Sequence, residues 1–429
     1  MRGIFCILGL GVLGGVAWGG ELAAVGFAGE WPVVAVEGDA PQEVVIVGDR
    51  RWTFDCGDDA ELLVGRIVSA VGDGDGRVYL LDGPLGRVII LDDAGQVERV
   101  VGRVGEGPGE FHGVWRAVVF DDGRLGVAGG CASPGFDFSA DGTLVLLDEV
   151  GDPAGRWLLS AEAGGAPVGM VRDLRHAGGP VLAVTHRGEL SPPDWMNIFE
   201  LSLVDPATGE RSVLARTILT ENLRARSVER ELFEVFAHGR CDIDADGRVA
   251  AALERDRWSV GIREPDGSGV VIRRSLVPRL RTAAEKAAIL ADLRVTEDHY
   301  LLADHDPVVG RVRWRPDGCL WVEPLSIEPR PGCLACFDEL APDGTLRRRV
   351  HLQFDQASLA ADLVFLADGR LILLDPSRPA VSLYRLPPPS CPPPPSMSPP
   401  SHEDAWPSRP GSDEAQRNRS DKRPSGAPR

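Results

Sequence analysis

GRVYLLDGPLGRVIILDDAGQVERVVG, Gly76 to Gly102, holds three short apolar runs, RVYLLD, RVIILD and QVERVVG, parted by GPLG and DAG. Each run is rich in Val, Ile, Leu or Tyr and is bounded by Gly, Pro or Asp, which is the pattern of short strands joined by tight turns. Upstream, DGDG (Asp73–Gly76) links the first of them to LLVGRIVSAV, Leu62–Val71. Four strands in roughly 40 residues make one blade of a β-propeller. The DGDG turn invites a calcium reading. An EF-type loop ending on Asp75-Gly76 would put Val71 at its first position and Asp82 at its twelfth, and valine cannot ligate. An Asx-turn needs less: aspartate accepts backbone N–H bonds and glycine supplies the positive φ.

The acidic-glycine phrase returns as DDG (Asp121–Gly123), DADG (Asp244–Gly247), PDG (Pro316–Gly318) and ADG (Ala367–Gly369). Recurrence of this kind marks a repeat architecture. Further blades are expected at Val114–Val150, Val168–Ala215, Cys241–Ser275, Val309–Leu352 and Leu359–Leu386. The last of these is a strand short. VVIVGDRRWTFD (Val44–Asp55) can supply the missing strand from the N-terminal side, closing the ring and removing its exposed edges. The predicted fold is all-β, a six-bladed β-propeller over residues 44–386, closed by an N-terminal strand and preceded by a lead-in over 20–43. Two insertions are predicted, at Thr217–Gly239 and Arg279–Pro307. The second carries TAAEKAAILADLR between blades four and five, with Thr282 as N-cap and Glu285 completing a capping box. Connections between blades lie on the face that carries ligand sites, so both insertions are expected at the mouth of the channel.

GRVYLLDGPLGRVIILDDAGQVERVVGRVGEGPGEF (Gly76–Phe111) and PDGCLWV (Pro316–Val322) resemble the NHL-type six-bladed β-propellers, particularly those of exported bacterial proteins. That resemblance implies the fold. It leaves function open between binding platforms and lyase- or lactonase-like enzymes.

The net charge of −18 disfavours nucleic acid or an anionic membrane as partner. MRGIFCILGLGVLGGVAWGG reads as a secretory signal over Met1–Gly19: one arginine, an apolar run from Ile4 to Val16, and small residues at Ala17 and Gly19. That run is shorter than the ~20 apolar residues of a membrane span, so a secreted or periplasmic protein with no integral membrane segment is expected. Seven cysteines follow Cys6; Cys319, Cys333 and Cys336 in blade five are expected to be a structural disulfide or buried thiols. From residue 387 the chain turns proline-rich and then polar, as a disordered tail does.

Glu106, Glu110, Arg116, Asp304 and Asp306 are candidate binding residues at the channel mouth. The sequence points to non-catalytic recognition of a protein, peptide or glycan through the loops there, with no cofactor required. The alternative is a metal-dependent lyase or lactonase. His112, His238 and His305 each stand just ahead of a predicted inner strand in three different blades, the arrangement that would let three imidazoles hold a catalytic zinc with one open position. Zinc or calcium belongs to that alternative.

Overall fold

A computed structural model of the chain describes residues 31–57, 62–105, 107–111, 113–129, 142–159, 169–191, 194–222, 239–293, 302–355, 361–375 and 380–387. The signal-like segment, the tail beyond residue 387, Glu106, His112, His238 and residues 223–238 lie outside them. Three strands come first: β1 (Val33–Val36), β2 (Glu43–Val47) and β3 (Asp49–Asp55). Blade one follows as β4 (Ile67–Gly72), β5 (Val78–Asp82), β6 (Arg87–Leu91) and β7 (Val97–Val101), and blade two as β8 (Val114–Val119), β9 (Leu125–Gly129), β10 (Thr143–Leu147) and β11 (Pro153–Leu158). Blade three is β12 (Met170–Arg175), β13 (Val181–Ser191), β14 (Asp194–Val204) and β15 (Arg211–Asn222). Blade four comprises β16 (Cys241–Ile243), β17 (Val249–Ala251), β18 (Trp258–Arg263) and β19 (Gly269–Arg274). After α1 (Ala283–Leu293), blade five runs β20 (Val309–Trp314), β21 (Leu320–Pro324), β22 (Ala335–Leu340) and β23 (Leu346–Gln353); β24 (Asp362–Phe365), β25 (Leu371–Asp375) and β26 (Ala380–Arg385) belong to blade six.

In blades one to five four consecutive strands form an antiparallel meander, in blade six three consecutive strands do, and the six sheets make a six-bladed β-propeller. The first strands are innermost: β4 approaches β8, β8 approaches β12, β16 approaches β20 and β24 approaches β4. Strand β5 shows why its sequence is apolar at nearly every position. Val78 and Leu80 pack towards blade six with Ile372 and Leu374. Tyr79 and Leu81, one residue out of phase, pack towards blade two with Val114 and Val127. A blade is buried on both faces, so the two-residue period of a strand feeds two cores at once. The remaining apolar clusters follow the same rule, one between each further pair of neighbouring blades.

The N-terminal segment differs from its reading as one strand over Val44–Asp55. It is broken at Gly48. Strand β3 completes blade six, antiparallel to β26 with Phe54 opposite Val381 and Trp52 opposite Leu383. Strand β2 instead adds to blade five as a fifth, outermost strand, parallel to β23, and β1, from the lead-in, does the same to blade four beside β19. Gly48 makes the step between blades: its N–H donates to Gln353 O at 2.9 Å, and a Cβ there would fall 2.7 Å from the Phe354 ring.

The turns follow the Asx reading. Asp73 Oδ1 accepts from the backbone N–H groups of Asp75 and Arg77 at 3.0 and 2.9 Å, and Oδ2 accepts from the Tyr79 hydroxyl at 2.9 Å. Asp92, Asp148 and Asp244 repeat this N–H pattern, and Gly76, Gly123, Gly247, Gly318 and Gly369 all have positive φ.

One expectation is corrected. Thr217–Asn222, read as the start of an insertion, continues β15 in register with β14 as far as the Asp194–Asn222 pair. Of the two readings of the blade-five cysteines, buried thiols is the one found: Cys319, Cys333 and Cys336 are free and buried, and Cys319 and Cys336 do not face one another. The register sets Leu320 opposite Leu340 and Val322 opposite Asp338, which sends the two cysteines to opposite ends of the hairpin. Cys336 donates its S–H to Ile327 O at 3.4 Å, while burial pushes the Cys319 thiol up to about 12.

Helix α1 starts where its capping box directs. The Thr282 N–H donates to Glu285 Oε2 at 2.7 Å, and the Glu285 N–H to Thr282 Oγ1 at 3.2 Å. The Thr282 N–H, with Arg279 beside it, lowers the Glu285 carboxyl to about 2. A depressed folded value means that the stabilisation is complete above the unfolded value, about 4.3, and is lost as pH falls through the folded one. Amide protection of residues 282–286 is therefore expected to fall between about pH 4.3 and 2, and Glu285→Gln should flatten that response in hydrogen exchange. Unchanged pH dependence in the variant would contradict the cap.

Candidate functional site in the central channel

The two ends of the ring are unlike. At one end lie the short turns from first to second and from third to fourth strands, aspartate-led at Asp73, Asp92, Asp148, Asp205 and Asp244. The other carries every connection between blades, including the one that holds α1. Blade three projects at this second end: β13 has 11 residues against 5 for β5, an excess of six, or roughly 20 Å of added strand. The same overhang continues through β14 and β15.

Inside the ring the inner strands carry charge. Arg116 on β8 lies with Nε 3.3 Å from Asp173 Oδ1 on β12, whose other carboxylate oxygen is 3.1 Å from Arg175. Arg175 Nε is 3.9 Å from Asp242 Oδ1 on β16, and Asp242 Oδ2 accepts the Trp314 N–H of β20 at 2.8 Å. Arg313 of β20 reaches back to β16, its NH1 donating to Gly239 O at 2.9 Å and Cys241 O at 3.2 Å. A belt of alternating guanidinium and carboxylate groups thus spans the inner strands of blades two to five. On β20, Arg311 turns the other way, 3.3 Å from Glu323 and 3.8 Å from Asp362 of blade six. Above the belt Arg172 donates to His186 Nδ1 at 3.1 Å, and His186 Nε2 meets Asn197 Oδ1 at 3.0 Å while its ring stacks on Phe199. Burial, then the Arg172 charge, push His186 down to about 4, so it is neutral and Nδ1 is the acceptor.

The candidate residues separate into three groups. Arg116 belongs to the belt. Glu110 holds its own turn, Oε2 accepting the Gly107 N–H at 2.9 Å and Oε1 pairing with Arg103 at 2.6 Å. Asp304 and Asp306 fasten the helical insertion: Asp304 pairs with Lys286, and Asp306 takes Arg279 and, at 2.7 Å, Arg281. His305 Nε2 is 3.0 Å from Asp256 Oδ1, and its carbonyl accepts from Arg255 at 2.7 Å. Glu106, His112 and His238 are not among the described residues. Among those residues no group of three or more His, Cys, Asp or Glu side chains is arranged to hold a metal ion.

The sequence reading missed Asp173, Arg175, Asp242 and the roles of Arg311 and Arg313. One signal was available. Gly-Arg stands at the start of the inner strand in three blades, as Gly65-Arg66, Gly239-Arg240 and Gly310-Arg311. In blades one and five the glycine lies under an acid at the end of the second strand: a Cβ on Gly65 would meet Asp82 Oδ1, and one on Gly310 would meet Glu323 Oε2, each at 2.6 Å. Buried Asp82 accepts the N–H groups of Gly65 and Arg66 at 3.0 and 3.2 Å, fixing where the inner strand begins.

No protein-family model matches the chain, and no curated protein matches it. Among solved structures it is similar to a member of the DUF4221 family from Bacteroides vulgatus, at 11% identity and TM-score 0.43, over 80% of this chain and 97% of that one. Virginiamycin B lyase from Staphylococcus aureus aligns at 9% identity and TM-score 0.39, over 78% and 99%. Regucalcin from Agrobacterium tumefaciens, a calcium-binding protein, aligns at 10% identity and TM-score 0.35, over 79% and 94%. The six sheets themselves define the fold, and none of these likenesses bears on activity.

Proposed function

We propose that this chain is an exported β-propeller that recognises a ligand, a peptide, protein or glycan, without transforming it, through the mouth of its central channel. The observation that carries this reading is the asymmetry of the ring. One end is reduced to tight turns, while the other bears the long blade-three sheet, the helical connection and a channel lined by fixed charges. Rigid blades with elaborated loops at one end are how a scaffold presents a binding surface. The charges are held by one another and by backbone carbonyls, which preorganises them for recognition. The N-terminal signal-like sequence supports export.

Peptide and glycan arrays probed with the purified protein test the reading. Ligands captured by the wild type are expected to be lost with Arg257→Glu and Arg187→Glu at the elaborated end and retained with Asp75→Arg and Asp246→Arg at the tight-turn end. The opposite pattern would move recognition to the other face and overturn the assignment.

A further inference from the structure

Among the described residues, three guanidinium groups, Arg116, Arg175 and Arg313, share the belt with two carboxylates, Asp173 and Asp242. Counting each group at unit charge leaves an excess of one positive charge inside a protein whose net charge is −18. That excess is enclosed: Arg313 is 6% exposed, and Arg175 keeps 25% of its side chain accessible, against 2% for the Asp173 beside it. Burying an uncompensated charge is costly, and a protein that does so ordinarily supplies a counter-charge.

The hydrogen bonds show the same deficit. Arg175 NH1 donates to Leu174 O at 3.0 Å and NH2 faces Asp173, yet its Nε is buried with no hydrogen-bond acceptor among the described residues, Asp242 Oδ1 being 3.9 Å away. Arg313 spends NH1 on three carbonyls, and its Nε is likewise buried without an acceptor among the described residues. Both arginines flank Asp242, one approaching its carboxylate and the other bound to the carbonyl of the preceding residue. Burial, then the like charge of Arg175, push Arg313 down to about 10, as two neighbouring cations with too few anions between them would. A buried unsatisfied donor calls for an acceptor; other arginine nitrogens of the molecule share that state, and what sets these two apart is that both lie beside Asp242 where the belt carries excess positive charge.

We propose that the channel binds one carboxylate group between Arg175 and Arg313, which is the chemical handle by which the ligand of the recognition function is held. This rests on the reading of the channel mouth as a recognition site and names the ligand class. A carboxylate fits both deficits: it brings a single negative charge, and its two oxygens accept from two guanidinium groups. A phosphate dianion would reverse the excess.

The test uses the full chain, with N-acetylglycine as the carboxylate probe, N-acetylglycinamide as its uncharged counterpart, and inorganic phosphate, at constant ionic strength. Binding followed by calorimetry or ligand-observed NMR is expected for N-acetylglycine and at least about tenfold weaker for the amide. Arg175→Gln should weaken N-acetylglycine binding by about tenfold or more, and Arg175→Lys, which keeps the charge without the fork, by less. Arg51→Gln, on an exposed strand far along the chain, should leave it unchanged. Circular dichroism and cooperative unfolding identify variants that fold, and Arg175→Lys and Arg313→Lys stand in where a neutral substitution does not. Equal binding of acid and amide, tighter binding of phosphate, or full retention in the folded Arg175 and Arg313 variants overturns the proposal. Absence of N-acetylglycine binding also overturns it, while array ligands lost with Arg257→Glu would leave the recognition function standing.

Discussion

Asp338→Ala is expected to destabilise the protein by about 3–5 kcal/mol, because it strands two buried cations. Asp338 on β22 is inaccessible to solvent and lies between two arginines. Arg274, from β19 of blade four, meets its Oδ2, and Arg349 Nε, from β23 of blade five, donates to Oδ1 at 3.0 Å. The Arg274 guanidinium also lies over the Trp258 ring at 5.6 Å and donates to Gly38 O at 2.9 Å, while Arg349 reaches Glu43 of β2 at 3.4 Å. One carboxylate therefore ties blade four to blade five and anchors the N-terminal chain on both. Urea denaturation of Asp338→Ala against the wild type measures the loss. Replacing Arg274, Asp338 and Arg349 together by Met, Leu and Met should recover most of it, since well-packed apolar groups substitute for buried ion networks at little cost. A single-variant loss below about 1 kcal/mol would contradict a paired, desolvated network.

Trp52→Ala is expected to cost about 3–5 kcal/mol and to open the ring at its seam. Trp52 sits on β3, opposite Leu383 of β26, and is 9% exposed. Its indole N–H donates to Asp93 O at 3.1 Å, in the turn between β6 and β7 of blade one. Gly95 in that turn has φ 80°, and a Cβ there would fall 2.6 Å from the indole. The one residue joins the outermost strand of blade six to the outer turn of blade one. Its loss leaves a cavity at the junction and loosens β3, exposing the edge of β26 to pairing with other chains. Calorimetry should show the lowered midpoint, and size-exclusion chromatography on warming should show association well below the wild-type transition. A variant with unchanged stability would mean that β26 and blade one hold the seam without it.

The parts legible in the sequence were those set by local chemistry. The Asx-Gly turns need aspartate to accept N–H bonds and glycine to take positive φ, so they recur visibly, and the blades between them could be counted. The capping box of Thr282 and Glu285 acts within one helical turn and was equally readable. The overhang of blade three was not legible, because a strand that extends past its blade has no internal stop signal to announce it. Segment 44–55 read as one strand because nothing local separates β2 from β3 except Gly48, whose purpose depends on the ring of Phe354, some three hundred residues away in sequence. The site was the least legible part. Asp304, Asp306 and Glu110 stood out as charges in loops, yet each serves its own loop.

By itself, then, the sequence determined the class of fold, the number of blades, the turn chemistry and helix α1, because each is fixed by residues within a few positions of one another. Tertiary structure alone decided which strands the N-terminal segment joins and which charges meet in the channel. Arg116, Asp173, Asp242 and Arg313 come from four blades spread over nearly two hundred residues. Only closing the ring brings their inner strands side by side, and only burial there turns scattered surface-type residues into a matched, incompletely neutralised belt.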